Sequence, residues 1–135
     1  MRNFEREFGF HIANQLTQTF RSNQGISTAA KTFVEKNPAQ YKKDVRATEQ
    51  TANDCIRVIR YGTRAQLSAA YETIARELAS VGECSLKILG RYNKNKDSVD
   101  LELFKRLAPA VRVEFNTMHA SKGLEADYVI LDSVE

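Results

Sequence analysis

Residues 63–90 read TRAQLSAAYETIARELASVGECSLKILG, and this run decides the fold. Thr63 and Gln66 make a T-x-x-Q pair, the arrangement in which a hydroxyl and a side-chain amide satisfy the first unpaired N–H groups of a helix. Behind the cap, Leu67, Tyr71, Ile74, Leu78 and Val81 recur at helical spacing. One face is therefore apolar without a break and is expected to be buried. Gly82 supplies the backbone freedom on which helices commonly end. Residues 85–89 then form a short apolar strand.

Toward the C-terminus the alternation continues. Asp97 or Ser98 is placed to cap a further helix running through Leu107, with Val99, Leu103, Phe104 and Leu107 inward and Pro109 beyond its end. Val111, Val113 and Phe115 alternate with Arg112 and Glu114, which is strand periodicity. Residues 128–131 read as a last buried strand. Toward the N-terminus, residues 55–61 are rich in Ile, Val and Tyr and read as a strand. Residues 39–53 read as a polar loop with no core of its own. Ile26, Ala29, Ala30, Phe33 and Val34 mark one face of a helix that Asn37-Pro38 stops. Residues 12–19 complete the series as a strand of high polar content. Strands separated by helices of this length build a mostly parallel sheet. The expected class is α/β, a three-layer α/β/α arrangement over residues 1–135 as a single domain.

The totals agree with one domain: 135 residues, 42% of them hydrophobic and 27% charged, leave material for a single core and not for two. No apolar run approaches a bilayer-spanning length and residues 1–5 lack a signal-peptide pattern, so a cytoplasmic protein without a membrane partner is expected. A net charge of +3 permits a polyanionic partner without demanding one. Cys55 and Cys84 lie far apart with no histidine near either, so reduced core thiols are expected in place of a disulfide or metal site. His11 has neither metal-binding nor catalytic partners around it and reads as a surface histidine.

Open parallel sheets bind ligands beyond the carboxyl ends of their strands. Three segments are expected there: Phe20-Arg21-Ser22, Gly90-Arg91-Tyr92-Asn93 and Asn116-Thr117-Met118-His119. Each carries aromatic, basic or hydroxyl groups suited to a nucleotide or phosphate. In residues 117–128, Thr117, His119 and Ser121 are candidate donors to phosphates, and Gly123 permits an otherwise strained turn. By composition alone, a solvated loop with a glycine turn is the simpler account. Phe20 as a core ring and Arg21 as a solvated charge is likewise the simpler account of that pair.

The residues say more when set beside known families. Thr117-Met118-His119-Ala120-Ser121-Lys122-Gly123-Leu124-Glu125, followed by an aromatic and an apolar strand, resembles motif V of the UvrD/Rep-like superfamily 1 DNA helicases, T-x-H-x-x-K-G-L-E. Leu16-Thr17-Gln18-Thr19-Phe20-Arg21-Ser22-Asn23 is similar to motif IV of that family, L-x-x-N-Y-R-S, with Thr19 in place of the usual Asn. Leu89-Gly90-Arg91-Tyr92-Asn93 is similar to its L-x-R-x-N strand end. Within the family, Asn37-Pro38-Ala39-Gln40-Tyr41-Lys42-Lys43 and residues 119–123 bring the chain nearest to the helicase IV branch.

The resemblance implies a RecA-like fold, the second motor domain of a 3′-to-5′ helicase. It further implies ATP and Mg²⁺, single-stranded DNA as partner, and an N-terminal motor domain of the same protein carrying the phosphate loop and most metal ligands. It assigns Phe20 to the adenine, Arg21 to the γ-phosphate as the catalytic arginine, and Glu125 to a ribose hydroxyl. Thr117, His119 and Ser121 fall to the DNA backbone, Arg91 to the DNA or the nucleotide loop (a plain surface salt bridge accounts for it equally well), and Lys122 with Gly123 to the shape of the loop. A second phosphate-sensing arginine is expected beyond Glu135, and the fragment by itself is expected to be inactive. The motor of a RecB/AddA-like helicase–nuclease, or an interaction domain that kept the fold without turnover, would carry the same motifs. A flavodoxin-like or receiver domain suits the αβ alternation, but its cofactor loop or acidic pocket is not found.

Gly25-Ile26-Ser27-Thr28-Ala29-Ala30-Lys31-Thr32 imitates a phosphate-binding loop with Ala30 in place of the second glycine. That glycine helps the backbone wrap an anion, and the apolar spacing here already fits a helix. Lys31 is read as a helix-surface residue.

Overall fold

Among the residues that the computed structural model describes (4–10, 12, 14, 16–40, 43–49 and 55–132), the chain runs in order through ten elements. They are helix α1 (Phe4–Phe8), strand β1 (Gln18–Thr19), helix α2 (Gln24–Val34), strand β2 (Arg46–Ala47), helix α3 (Arg64–Val81), strand β3 (Cys84–Gly90), a 3₁₀ helix (Asn93–Ser98), helix α4 (Leu101–Leu107), strand β4 (Val111–Thr117) and strand β5 (Tyr128–Leu131). Backbone contacts divide it into two units, Met1–Val58 and Ile59–Glu135. Parallel strands with intervening helices make this an α/β fold.

The second unit holds the core. Helix α3 begins at the expected cap: the Thr63 hydroxyl accepts from Gln66 N at 3.2 Å, and Gln66 Oε1 accepts in return from Thr63 N at 3.2 Å. It ends at Gly82, whose φ of +94° lies in the region that only glycine adopts without strain. Tyr71, Ala75 and Leu78 are buried from its inner face, Leu67 and Ile74 pack beside them, and Val81 is exposed. Helix α4 starts later than expected. Asp97 and Ser98 are taken up by the 3₁₀ helix, so Asp100 is the cap, accepting from Leu103 N at 2.9 Å. Val99, Leu103 and Phe104 face inward as their spacing dictates.

Strands β4, β3 and β5 lie side by side in that order, both pairs parallel, with Gly90 opposite Thr117 and Leu89 opposite Leu131. Leu86, Ile88 and Val111 share one sheet face with Val113, Phe115 and Ile130, and helices α3 and α4 cover it. The rings of Tyr71 and Phe104 meet edge to face, 5.8 Å apart, at the centre. On the other face Lys87 and Glu114 pair across the strands at 2.6 Å. Strand β5 is less buried than its composition suggests, because it lies at the end of the strand order; Tyr128, Val129 and Leu131 are exposed.

The first unit is thinner. Strands β1 and β2 pair in parallel over two residues each. Gln24 ties β2 to α2, its Oε1 accepting from Ala47 N at 2.8 Å and its own N–H donating to Glu49 O at 3.1 Å. The strand expected over residues 12–19 is limited to Gln18–Thr19, with Ala13 and Gln15 outside the described residues. The loop expected at 39–53 contains β2, and Ala47 is buried; Tyr41, Lys42 and residues 50–54 lie outside the described residues.

Residues 55–61 do not form a strand. Their β-branched residues favour extended backbone, but a strand also needs a neighbour to pair with, and no described strand pairs there. Ile56, Val58, Ile59 and Tyr61 are exposed, and so is Cys55, against the expectation of a core thiol. Both cysteines are free. Burial pushes the Cys84 thiol above its ordinary value, with Asp127 adding to the effect.

Candidate functional site

Because β3, β4 and β5 are parallel, their carboxyl ends meet at one edge. That edge brings together two of the three expected segments. Arg91 and Tyr92 leave β3 there, and Thr117 leaves β4 beside them, tied by a hydrogen bond from Met118 N to Gly90 O at 3.0 Å. Gly90 is required by closeness: a β-carbon would lie 2.7 Å from Asn95 Cβ and 2.9 Å from the Phe115 ring.

The loop after Thr117 is built from short-range bonds. Thr117 Oγ1 accepts from Ala120 N at 3.2 Å, its carbonyl from Ser121 N at 2.9 Å, and the Ser121 hydroxyl donates to Met118 O at 2.9 Å. Lys122 N reaches His119 O at 3.4 Å and Leu124 N reaches Ser121 O at 2.9 Å. Gly123 has φ +87°, and a β-carbon there would meet nothing within 4 Å, so backbone conformation and not space selects glycine. His119, Lys122 and Glu125 are exposed, while Thr117 and Ser121 are half-buried. An ordered loop with partly sheltered hydroxyls and an exposed imidazole at a strand edge suits a polyanion backbone.

The loop then descends to the start of β5. Asp127 accepts from Ser85 N at 2.8 Å and from the Ser85 hydroxyl at 2.6 Å, and its own N–H donates to Ser85 Oγ at 3.0 Å. The Ser85 hydroxyl and then its N–H hold the Asp127 carboxyl below the usual aspartate value. Ser85 lies near the amino end of β3, so the loop that leaves the rim at Thr117 has returned to the opposite end of the strand by Asp127.

Phe20 and Arg21 belong to the first unit, directly after β1. Phe20 is 79% exposed, which removes the core-ring account. Arg21 N donates to Thr19 Oγ1 at 3.4 Å. Next in sequence, Ser22 and Ser27 share a hydroxyl hydrogen bond at 3.0 Å, and Asn23 caps α2 by accepting from Ile26 N at 3.0 Å. The motif-IV-like run thus ends on a helix cap. Residues 25–32 lie inside α2, so they wrap no phosphate. Lys31 pairs with Asp44, which lowers the Asp44 carboxyl through their hydrogen bond and then their charges. His11 lies outside the described residues.

Sequence reasoning passed over two features. Asp132, at the end of β5, is 3% exposed and accepts from the Tyr71 hydroxyl at 2.9 Å. Burial, and then this bond, push the Tyr71 phenol far above its ordinary value. Helical spacing marked Tyr71 as apolar lining, and nothing local to Asp132 signalled a partner 61 residues away. Second, two cations lie over the Tyr92 ring: the guanidinium carbon of Arg91 and Nζ of Lys94 are each 5.5 Å from its centre. The sequence places Tyr92 beside Arg91 in the segment 90–93, and the contact of Lys94 with the same ring lies just beyond it. The Asn116 Oδ1 atom is buried without a hydrogen-bond partner among the described residues. A groove between the start of α3 and the 3₁₀ helix, lined by Arg64, Leu67, Tyr71 and Ser98, includes none of the expected site residues. Among the described residues no cluster of His, Cys, Asp or Glu could hold a metal ion, and no helix is long and apolar enough to cross a membrane.

Comparison with known proteins gives one relative to set beside this geometry. The chain is 30% identical over 128 residues to DNA helicase IV of Escherichia coli (strain K12), a match that covers 95% of this chain and 18% of the relative. The chain therefore spans under a fifth of the length of the curated relative it matches. No protein-family model and no solved structure matches it.

Proposed function

We propose that this chain is part of the second motor domain of an ATP-dependent DNA helicase, one domain over residues 1–135. In this reading the loop after Thr117 lies on single-stranded DNA and Phe20 with Arg21 serves the nucleotide. The observation that carries it is the similarity to DNA helicase IV along 95% of the chain, which takes in every motif named above. The second unit's geometry supports it, since the motif-V-like loop leaves the carboxyl edge of a parallel sheet, the customary ligand edge of α/β folds.

Thr117, His119 and Ser121 contact the DNA backbone in this reading, with Arg91 beside them, and Gly123 holds the turn that shapes the loop. Phe20 fits a base: its ring is exposed, and stacking on an aromatic contributes about 1–3 kcal/mol whether the ring is Phe or Tyr. Arg21 neutralises charge on the transferring phosphoryl group, and Glu125 takes a ribose hydroxyl. ATP is the substrate that links cleft closure to movement along DNA. The described residues offer no Mg²⁺ ligand set, and most of the metal's ligands would lie on the N-terminal motor domain. The N-terminal motor domain of the same protein would supply the phosphate loop, and this chain alone is expected neither to hydrolyse ATP appreciably nor to unwind DNA. The location is proposed to be cytoplasmic.

The test is ATP turnover, stimulated by single-stranded DNA, in the complete polypeptide that carries this chain. Arg21→Ala is expected to lower kcat by roughly 10³–10⁵, the range for loss of an arginine finger. Unchanged turnover would reject the motor reading in favour of a domain that kept the fold without the chemistry.

A further inference from the structure

We propose that Tyr92 is a stacking platform for a base of single-stranded DNA, with Arg91 and Lys94 holding the phosphates on either side of that base. The inference rests on the DNA reading above and extends it to Tyr92 and Lys94, which have no role in that reading.

Tyr92 is the second residue beyond the end of β3, at the carboxyl edge of the sheet, and the residue is 52% exposed. A ring left half in water at a strand end adds little to the core, so packing does not explain it. Its backbone is fixed: Tyr92 N donates to Asn95 Oδ1 at 2.8 Å, and Asn95 N donates to Tyr92 O at 3.0 Å. The ring is thus carried on the residue that caps the 3₁₀ helix, and little backbone entropy remains to be lost when a base settles on it. The two cations lie over the ring, each 5.5 Å from its centre, within the roughly 6 Å reach of a cation–π contact. A base settling on the ring would take their place over it, and the two cations would turn to its phosphates.

A π-surface with two cations in contact with it matches the repeating chemistry of a single strand. Each nucleotide offers a flat base of any identity and a phosphate at each end. The hydrogen bond from Met118 N to Gly90 O joins this platform to the start of the Thr117 loop within the same unit. One strand passing over that edge would meet the ring and the hydroxyl-and-imidazole loop in succession.

The experiment is fluorescence anisotropy of the full 135-residue chain at low salt. The probes are a labelled oligo-dT of about 12 nucleotides, within the usual span of single-strand grooves, and an abasic oligomer of equal length. Tyr92→Leu is expected to weaken oligo-dT binding roughly 5- to 150-fold, the equivalent of one lost stack, and to leave the abasic oligomer unchanged. Tyr92→Phe keeps the ring and is expected to bind like the parent. Lys94→Ala should weaken both oligomers alike and lower the salt slope by about 1. Photocrosslinking of the unmodified chain to an oligomer carrying 5-bromodeoxyuridine needs no variant to fold, and should give an adduct at Tyr92.

Equal losses on both oligomers, no loss on oligo-dT, or adducts only elsewhere would overturn the platform. If Thr117→Ala and His119→Ala weaken binding while Tyr92→Leu does not, the platform alone is rejected and the DNA reading stands. If the parent chain binds neither oligomer, both fall together.

Discussion

The two units of this chain use their apolar residues in opposite ways. In Ile59–Glu135, Leu86, Ile88 and Phe104 are fully buried, and ten residues from two helices and two strands and their flanking turns close into one cluster. In Met1–Val58, Ala47 is the one buried residue among those described, while Phe8, Phe10, Leu16, Phe20 and Phe33 are exposed. Helix α2 has an apolar stripe as regular as that of α3, yet no described residue of α2 is buried. An amphipathic pattern thus names the face that a helix offers; it does not supply the surface that covers it.

The largest expected effect tests that contrast directly. Phe104→Ala removes a ring in contact with Tyr71 at the centre of the core and should cost about 3–5 kcal/mol. Phe33→Ala truncates a residue that is 76% exposed and should change stability by less than about 0.5 kcal/mol. Urea denaturation followed by circular dichroism measures both. Comparable losses would mean that α2 is covered after all, and the contrast would be broken.

A second pair compares two glycines. Gly90→Ala drives a methyl into Asn95 Cβ and the Phe115 ring, and overpacking of this kind costs about 1–3 kcal/mol. At Gly25 the obstacle is the end of the exposed Cys55 side chain, which can turn aside. Alanine also favours the helical backbone of α2, by up to about 1 kcal/mol. Gly25→Ala should therefore be neutral or stabilising, and melting temperatures of the two variants should move apart.

These contrasts also mark what could be read in the sequence. Self-contained signals were legible. Thr63 and Gln66 complete each other's hydrogen bonds three residues apart, Gly82 ends a helix by its own backbone freedom, and the alternation from Val111 to Phe115 carries its own period. Signals that depend on a distant partner were not. Residues 55–61 have the composition of a strand without a pairing neighbour, and the Asp132–Tyr71 bond spans 61 positions. The cap of α4 was displaced from Asp97 or Ser98 to Asp100 because a 3₁₀ turn, which leaves little apolar period, intervened. For the candidate site, the motif order and parallel strands foretold that Arg91 and Thr117 share an edge. The return of the loop to the far end of β3 could not be foretold, because the Ser85–Asp127 bonds that draw it there join residues 42 apart.

A smaller effect concerns the cap itself. Thr63→Ala leaves Gln66 N without its acceptor and should cost about 1 kcal/mol. Asn23→Ala removes the matching bond from Ile26 N in α2. If the second unit alone folds around its core, the first substitution should lower the unfolding midpoint of that core while the second should speed hydrogen exchange only within α2. Exchange measured residue by residue separates these outcomes, and equal spread of both effects through the chain would show that the two units unfold as one.

The smallest effect is carried by carboxylates, and its cause differs between the units. Asp44 is held low by its hydrogen bond to the Lys31 ammonium and then by that charge. Asp127 is held low by the hydroxyl and then the N–H of Ser85, which carry no net charge. In both cases the folded-state pKa lies below the ordinary value of 3.8. Each therefore contributes stability above that value, and the contribution is lost as pH falls through the depressed folded value. Salt separates the two causes. At about 1 M ionic strength the screening length shrinks to roughly 3 Å, so the Asp44 titration should move back toward its ordinary value while that of Asp127 stays depressed. Ser85→Ala should release Asp127 at any salt, because the first of its two donors is then gone. Carboxyl-carbon NMR titrations at low and high salt read both groups in one sample. Equal salt shifts at Asp44 and Asp127 would mean that charge governs both units, and the hydrogen-bonded anchoring of the loop to Ser85 would lose its support.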